Sequence, residues 1–385
     1  TNALGPKRYK VNMLNPRCDQ STCKNAELII LYDCPLFIAA TLNLNLLKNK
    51  ESLKPFKETI RFIKIIPKII GESDCILNIK LGLNILIFTK KIVQLIVFLI
   101  SYPILIGISI LPHFMLYGLS DFLYLTLYKT FGYRRKVVRK NLNLCFPYKN
   151  SKEIQNIERA FYKHLCDIFV EMIKALTVSK KQVLNRFKFK NTELVNKYLR
   201  NNKGVVLVCG HYSSWEGMLS IGYHIEGKGY AVYTPLTNKY YERLIVKSRE
   251  KHLIHLGSRY NVLSDVNHNQ KNNITYIYGL AADQSPQPKP KTYWRTFMDI
   301  EVPVFNGAEQ MAVKFDLPVV FADINRIKRG YYEINIDMIS ENPTETKKNE
   351  ITDLFTERLE EQIRNDPSQY FWTHNRFKHM SKKPL

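Results

Sequence analysis

Short apolar runs alternate with stretches of helical period in the second half of the chain, and this pattern predicts strands alternating with helices. The runs are KGVVLVCG, YAVYTPL, ITYIYGLAA and LPVVFADIN, with helical stretches from about Ser213, after Asn238 and after Asn306. This order is typical of a sheet with helices packed on it. We therefore predict an α/β fold with a mixed sheet flanked by helices.

Periodicity also predicts two further helices and one further strand. The stretch GYYEINIDMI, from Gly330, alternates apolar and polar residues as a half-exposed or edge strand does. From Glu153 to Leu176 the apolar positions step by three and four, which predicts an amphipathic helix packed on a core. Its apolar positions are Ile154, Ile157, Phe161, Leu165, Ile168, Met172 and Leu176. The inward positions of a final helix over about 351–364 are Leu354, Phe355, Leu359 and Ile363.

Residues 92–111, IVQLIVFLISYPILIGISIL, contain no charge. Twenty helical residues cover about 30 Å, the hydrocarbon thickness of a bilayer. The sequence therefore predicts an N-terminal membrane anchor helix. A buried core helix is the alternative, although Pro103 would break a soluble helix more readily than a membrane helix.

The residues around this stretch predict contact with a membrane surface. Residues 85–130 form the predicted anchor and interfacial segment, in which the aromatic stretch from His113 is typical of a headgroup interface. Basic residues flank the segment on both sides, so the positive-inside rule does not orient it in the membrane. A single span and a re-entrant hairpin both fit. The side chains that would face lipid phosphates, or else form a solvated charged helix face, are Arg134, Arg135, Lys136, Arg139 and Lys140.

Charge narrows the class of partner. The 57 Lys and Arg against 34 Asp and Glu give a net charge of +23, which favours a polyanionic partner: nucleic acid, anionic lipid or an acidic protein. The seven cysteines form no dense framework, and Cys18 and Cys23 lack the spacing of a zinc site, so reduced thiols are predicted. Residues 1–84 carry no motif and are assigned no role.

The stretch VCGHYSSWEG places His211 and Glu216 directly after a predicted strand. Ligand sites of α/β folds collect where strands leave the sheet. Glu216 could reach back across the turn to one imidazole nitrogen and fix the tautomer, which would leave the other nitrogen as a general base. The alternative is a capping box, in which Ser213 and Glu216 bind backbone N–H groups at a helix start.

Other chemistries fit the sequence less well. Ser213 has the wrong glycine spacing for a nucleophile elbow, and Cys209 is predicted to be a small buried side chain. No zinc-binding histidine pair and no Walker or dinucleotide glycine pattern occurs, so no metal or cofactor is predicted. No RNA-binding or helix-turn-helix signature occurs either, and no nucleic acid is expected.

Taken together, these residues resemble a known family. The His-x-x-x-x-Glu pair, the apolar segment upstream, VYTPLTN followed by an arginine, AADQSP and QYFWTHNRFK resemble the late acyltransferases of lipid A biosynthesis, within the lysophospholipid acyltransferase-like group. These stretches occur in the expected order over roughly residues 85–380. The resemblance implies an αβα sandwich, with residues 131–385 as the catalytic domain.

The resemblance further implies transfer of a fatty acyl chain from acyl carrier protein to a hydroxyl of a lipid A precursor, a phosphorylated glycolipid. The expected location is the bacterial inner membrane, with the catalytic domain on its cytoplasmic face. His211 would be the base and Glu216 its partner. The substrate-binding residues implied by position are Asn238, Arg249, Asp283 and Gln284, with Arg376 and Lys378 as phosphate contacts. Asn375 departs from the family, where arginine is common.

Each secondary residue has a simpler interpretation: Asn238 as a helix cap, Arg249 as a surface charge and Asp283 as a turn former. Two alternative functions also stay open. One is an acyltransferase acting on a lysophospholipid or an aminolipid. The other is a non-catalytic basic protein that binds membranes or nucleic acid.

Overall fold

A computed structural model describes the backbone of residues 74–382 and the side chains of residues 88–382. Most of the unassigned region 1–84, with Cys18 and Cys23, therefore lies outside the described residues. The α-helices are α1 (Asp74–Ile110), α2 (His113–Tyr124), α3 (Arg135–Cys145), α4 (Ser151–Lys174), α5 (Lys180–Arg186), α6 (Glu193–Arg200), α7 (Lys239–Glu250), α8 (Val262–Lys271), α9 (Gly307–Phe315) and α10 (Glu350–Asn365). A π-helix (Leu125–Thr130) follows α2, and a 3₁₀-helix covers Trp215–Tyr223.

A seven-stranded mixed sheet has the order β1-β9-β8-β2-β5-β3-β4. Its strands are β1 (Phe187–Lys190), β2 (Val205–Cys209), β3 (Lys228–Tyr233), β4 (Ile254–Ser258), β5 (Tyr276–Ala281), β8 (Val319–Lys328) and β9 (Tyr331–Ser340). Strand β2 is parallel to β5 and β8, and β3 is parallel to β4 and β5. Strand β9 is antiparallel to β8, and β1 is parallel to β9. The remaining strands, β6 (Trp294–Phe297) and β7 (Ile300–Pro303), form an antiparallel hairpin.

Helices cover both faces of the sheet. Successive residues of a strand point to opposite faces, so Val206 and Val208 pack in one hydrophobic core with Phe161 of α4. Leu207 packs in the other core with Val195 of α6. All five residues of β2 are buried, which explains its continuous apolar run. The predicted α/β fold with a mixed sheet flanked by helices is confirmed.

Two packing predictions are wrong in part. Strand β9 has the predicted buried and half-exposed faces, but β1 pairs along its outer side, so β9 is not an edge strand. Leu354 is 37% exposed, because the inward stripe of α10 runs through Ile351, Phe355 and Leu359.

Residues 88–110 of α1, hereafter the candidate anchor helix, are long and apolar enough to cross a membrane by length and composition. Twenty-three helical residues span about 35 Å. Only 6% of the most apolar window is buried, so this helix is not a core helix of the described fold. The helix continues through Pro103.

Polar contacts hold the end of the candidate anchor helix to α4. The ammonium of Lys174 donates to the carbonyl oxygens of Ser109 and Leu111, both at 2.9 Å, and the Thr177 hydroxyl donates to Ser109 O at 2.5 Å. The last carbonyls of a helix lack partners within the helix and attract cations. Lys174 therefore caps this helix.

The candidate anchor helix also packs against α7. The hydroxyls of Ser101 and Tyr241 are hydrogen-bonded, and the Phe98 ring stacks on Tyr240 with centroids 5.5 Å apart. Both contacts lie in the first turn of α7, whose last turn carries Arg249. The candidate anchor helix is thus in direct contact with a helix that carries a predicted site residue.

Helix α2 and the π-helix leave several apolar side chains in solvent while Leu116 and Tyr128 are buried. The exposed apolar band consists of Phe114, Met115, Phe122, Leu125 and Phe131. Phe114 is 76% and Phe131 77% exposed. This two-sided pattern agrees with an amphipathic segment.

The basic cluster at 134–140 is only partly available to lipid phosphates. Arg135 and Arg139 both donate from Nε to the buried carboxylate of Glu158, at 2.9 and 2.8 Å. Arg134 donates to the carbonyl oxygen of Thr373 at 2.8 Å. These three arginines tie α3 to α4 and to the C-terminal segment, and their contact with lipid phosphates stays a prediction.

Candidate functional site

The site begins at neighbouring parallel strands of the sheet. Cys209 and Ala281 are paired at the carboxyl ends of β2 and β5, and each is followed two residues later by a polar side chain, His211 or Asp283. Imidazole Nδ1 lies 2.6 Å from Asp283 Oδ1. The backbone N–H of Ala282 donates to Cys209 O at 3.2 Å and keeps the two segments together beyond the sheet.

The hydrogen bond to Asp283 sets the histidine tautomer. An ionised carboxylate only accepts, so Nδ1 carries the proton and Nε2 keeps its lone pair. Nε2 lies 3.3 Å from the side-chain nitrogen of Gln284, which donates to it. The His211 side chain is 20% exposed and that of Asp283 3%. His211 is therefore the more exposed member of the pair.

The carboxylate of Asp283 stabilises an added proton on the imidazole. Burial alone would lower the pKa of His211, but the charge and hydrogen bond of Asp283, with a contribution from Glu216, hold that pKa above its ordinary value. Burial alone would raise the pKa of Asp283, but His211 lowers it to about 2. Burial raises the pKa of the neighbouring Cys209 thiol to about 12, so this thiol stays protonated.

Residues 210–214, the histidine loop, are held by the C-terminal segment. The N–H of Phe371 donates to His211 O at 3.1 Å, and the N–H of Ser213 donates to Gln369 O at 2.9 Å. Tyr212 and Tyr370 form an antiparallel bridge between these two bonds. The C-terminal segment thus acts as a short strand that fixes the position of the histidine.

The capping-box alternative is wrong. Ser213 has φ +52°, a left-handed conformation that costs non-glycine residues of order 1–3 kcal/mol, and its buried hydroxyl has no partner among the described residues. The 3₁₀-helix starts only at Trp215, and its N-cap residue Ser214 makes no side-chain capping bond. The loop therefore contains a strained turn at Ser213, directly after His211 and the end of β2.

The predicted hydrogen bond between Glu216 and His211 is also wrong. Glu216 accepts from Nη2 of Arg249 at 2.5 Å, and both side chains are largely buried. The imidazole nitrogens have other partners, so Glu216 acts on His211 only through its charge. Asp283, predicted to bind substrate, occupies the position beside His211 that we predicted for Glu216.

Two other predicted binding residues lie in structural contacts. Asn238 caps α7 by accepting from Tyr240 N at 3.0 Å, and its amide donates to Gln94 O of the candidate anchor helix at 3.2 Å. Arg376 is 3% exposed and donates to Pro303 O at 2.9 Å. The prediction that Arg376 contacts phosphate is wrong, because its guanidinium is buried, whereas Lys378 is exposed.

Two aromatic side chains pack beside the imidazole of His211. The Trp215 ring lies edge-on to the imidazole with centroids 5.4 Å apart, and Phe371 lies 5.3 Å from Trp215 and 6.2 Å from His211. The two rings thus form an aromatic surface beside the imidazole. No cluster of three or more potential metal ligands from His, Cys, Asp and Glu occurs among the described side chains, residues 88–382.

Behind the histidine loop, Glu171 of α4 joins three elements. Its carboxylate accepts from the hydroxyls of Tyr117 on α2 and Tyr332 on β9, each at 3.0 Å, and from Ser214 at 3.1 Å. Removal from water raises the pKa of Glu171 to about 7, although these hydrogen bonds oppose the shift. Glu171 therefore connects the loop to the helix that carries part of the exposed apolar band.

This raised pKa predicts a specific effect of pH on stability. Stability from Glu171 is fully present below its unfolded pKa, near 4.5, and is lost as pH rises through about 7. Glu171→Gln removes this loss, so the unfolding free energy of the variant relative to wild type is expected to rise by about 2–3 kcal/mol between pH 5 and pH 8. Chemical unfolding at both pH values measures it. The exposed Glu361→Gln is the control, and a flat or falling difference for Glu171→Gln contradicts the assignment.

Comparison with known proteins decides the class of enzyme. Residues 87–379 match the family described as bacterial lipid A biosynthesis acyltransferase. The chain belongs to this family. A lipid A biosynthesis palmitoleoyltransferase of Escherichia coli (strain K12) is 24% identical over 249 residues, which cover 64% of this chain and 79% of that protein. A lipid A biosynthesis acyltransferase of Shigella flexneri matches with the same identity and coverage.

Membership of the lipid A acyltransferase family confirms the resemblance seen in the sequence. The protein is an acyltransferase, so the alternative of a non-catalytic binding protein is wrong. The family match begins at residue 87, next to the start of the candidate anchor helix, and extends through the C-terminal segment that holds the histidine loop. Each element described around His211 therefore lies within the shared region.

The role of Asp283 in orienting the histidine was missed from the sequence. The available signal was an acidic residue two positions after an apolar strand, the same offset as His211. This shared offset indicates a contact only if β5 lies next to β2 in the sheet. The sequence did not show this, because β3 and β4 separate the two strands in the chain. The contribution of Phe371 and Gln369 gave no local signal at all.

Proposed function

We propose that this acyltransferase moves a fatty acyl chain from acyl carrier protein to a hydroxyl of a lipid A precursor, with His211 as general base. The observation that supports the mechanism is the 2.6 Å hydrogen bond that Nδ1 donates to Asp283, which leaves Nε2 as the basic nitrogen. The family and the names of the two relatives support the acceptor.

The proposed reaction is a direct transfer. Nε2 of His211 takes the proton from the acceptor hydroxyl as its oxygen attacks the thioester carbonyl carbon. The carbon–sulfur bond then breaks, the ester forms, and the departing thiolate takes the proton from the imidazolium. Asp283 stabilises that imidazolium without itself accepting the proton. A thioester is already activated, so a positioned base and correct alignment of the two substrates are sufficient.

Arg249 is proposed to bind an anionic group of the acceptor. A guanidinium has five N–H donors in a planar fork, and the bond to Glu216 uses one on Nη2. The carboxylate of Glu216 holds the fork in place, while the remaining donors can approach a phosphate of the glycolipid. Glu216 is thereby proposed to position Arg249, while Asp283 positions the base.

The proposed location is the cytoplasmic face of the bacterial inner membrane. The exposed candidate anchor helix contacts α7, which carries Arg249, so an anchored enzyme would hold this residue close to the lipid. A net charge of +23 would attract both the phosphorylated acceptor and the acidic carrier protein. The neighbouring aromatic rings of Trp215 and Phe371 offer an apolar surface for the acyl chain.

Mass spectrometry of lipids from a strain lacking the gene tests the acceptor. We expect lipid A to lose one acyl group, and a plasmid encoding the wild-type chain to restore it. A His211→Ala plasmid should not restore it, because the base is absent. Unchanged lipid A together with an altered lysophospholipid or aminolipid would refute the proposal in favour of the alternative acceptor.

A further inference from the structure

A basic groove lies outside the catalytic site, between the π-helix and α4. Its volume is about 620 Å³, and its walls include Tyr124, Tyr128, Lys129, Arg135, Arg159 and Lys163. The rings of Tyr124 and Tyr128 stack with centroids 5.4 Å apart and form an aromatic surface. Arg135 lies 4.5 Å from the centre of the Tyr128 ring, and Lys163 lies 5.7 Å from that of Tyr124.

Three of the four cations are not neutralised within the described part of the chain. Arg135 is paired with Glu158, but Lys129, Arg159 and Lys163 form no ion pair with a described carboxylate. These three side chains are exposed at the groove. Like charges around one groove repel each other unless an anion lies between them, so the groove is suited to an anionic group.

The surroundings of the groove distinguish a lipid from other anions. Lys129 is in the same π-helix as Leu125, which is 45% exposed, and it is two residues from Phe131, which is 77% exposed. Both apolar residues belong to the exposed apolar band. A ligand with a negative headgroup and hydrocarbon chains would satisfy the cations and the band together, whereas an acidic protein or free phosphate would leave the band in water.

We propose that this groove binds the phosphate headgroup of an anionic phospholipid, with its acyl chains along the exposed apolar band. Each tyrosine side chain combines an apolar ring with a polar hydroxyl, the combination that favours tyrosine at membrane interfaces. The groove is separate from His211 and needs no acyl transfer. Its occupation by lipid would hold α2 and α4 at the membrane surface independently of the candidate anchor helix.

Native mass spectrometry of the full chain in a neutral detergent tests this site. The probes are phosphatidylglycerol and phosphatidylcholine with the same acyl chains. The wild type should bind phosphatidylglycerol at least tenfold more tightly. The variant K129Q/R159Q/K163Q should weaken that binding by about tenfold to a hundredfold, since each cation near an anionic surface contributes roughly fivefold. Its affinity for phosphatidylcholine should change little.

The matched control K271Q/K314Q/K348Q removes three exposed lysines from α8, α9 and the segment before α10, and it should keep the preference. Equal binding of the two lipids by wild type, or a preference that survives in the groove variant, would overturn the proposal. So would displacement of the lipid by inorganic phosphate at equal concentration. A groove variant that loses affinity for acyl carrier protein but not for phosphatidylglycerol would assign the groove to an acidic protein instead.

Discussion

Replacing His211 by alanine is expected to lower kcat by about 10²–10⁴-fold, the usual contribution of a positioned general base. The residual rate would come from substrate alignment alone. KM is expected to change little, because the imidazole acts on the hydroxyl proton and not on the bulk of either substrate. The measurement is acyl transfer from an acyl carrier protein thioester to a purified lipid A precursor in mixed micelles.

The control for this experiment is His255→Ala, which removes an exposed histidine from β4. Its activity should stay within about twofold of wild type, as expected for a surface substitution. Retention of near wild-type kcat by His211→Ala, with product verified by mass, would exclude His211 as the base and remove the proposed mechanism.

Replacing Asp283 by asparagine is expected to reduce kcat by up to about 10⁴-fold, because the amide no longer stabilises the imidazolium and can hold the wrong tautomer. The pH profile gives the sharper readout. Asp283 holds the pKa of His211 above 6.5. The pH–activity profile of the wild type should therefore have an ascending limb, on which activity rises as the imidazole loses its proton, centred above pH 6.5. Without the carboxylate that pKa falls, and the limb should move to lower pH.

Glu216→Gln separates the roles of the two carboxylates. Glu216 forms its ion pair with Arg249, so its loss should act mainly on KM for the phosphorylated acceptor and shift the limb less than Asp283→Asn does. A larger shift of the limb in Glu216→Gln than in Asp283→Asn would contradict the structural pairing. It would return the orienting role to Glu216.

Local patterns predicted the elements around the site better than the contacts within it. Strand β2 was evident because burial on both faces requires an uninterrupted apolar run, and α7 was evident after its cap Asn238. Strand β1 was missed, because its four residues, FKFK, are half lysine. Such a short segment is defined by its partner β9 and not by its own composition.

The pairing of site residues depended on tertiary order. His211 and Glu216 are neighbours in sequence, which made their contact the natural hypothesis. The sheet instead brings His211 against Asp283, 72 residues away, and α7 brings Arg249 to Glu216 from 33 residues away. Arg376 illustrates the converse, since a cationic residue in a polar stretch was expected at the surface and is buried against Pro303.

The backbone bridge between the histidine loop and residues 369–371 has a consequence for biosynthesis. Phe371 leaves the ribosome 160 residues after His211, so a growing chain can fold much of its sheet while the histidine loop still lacks its support. Nascent chains should therefore be inert toward fatty thioesters. Activity would begin only when the late segment closes over the loop, which couples the start of catalysis to the synthesis and folding of residues 369–371.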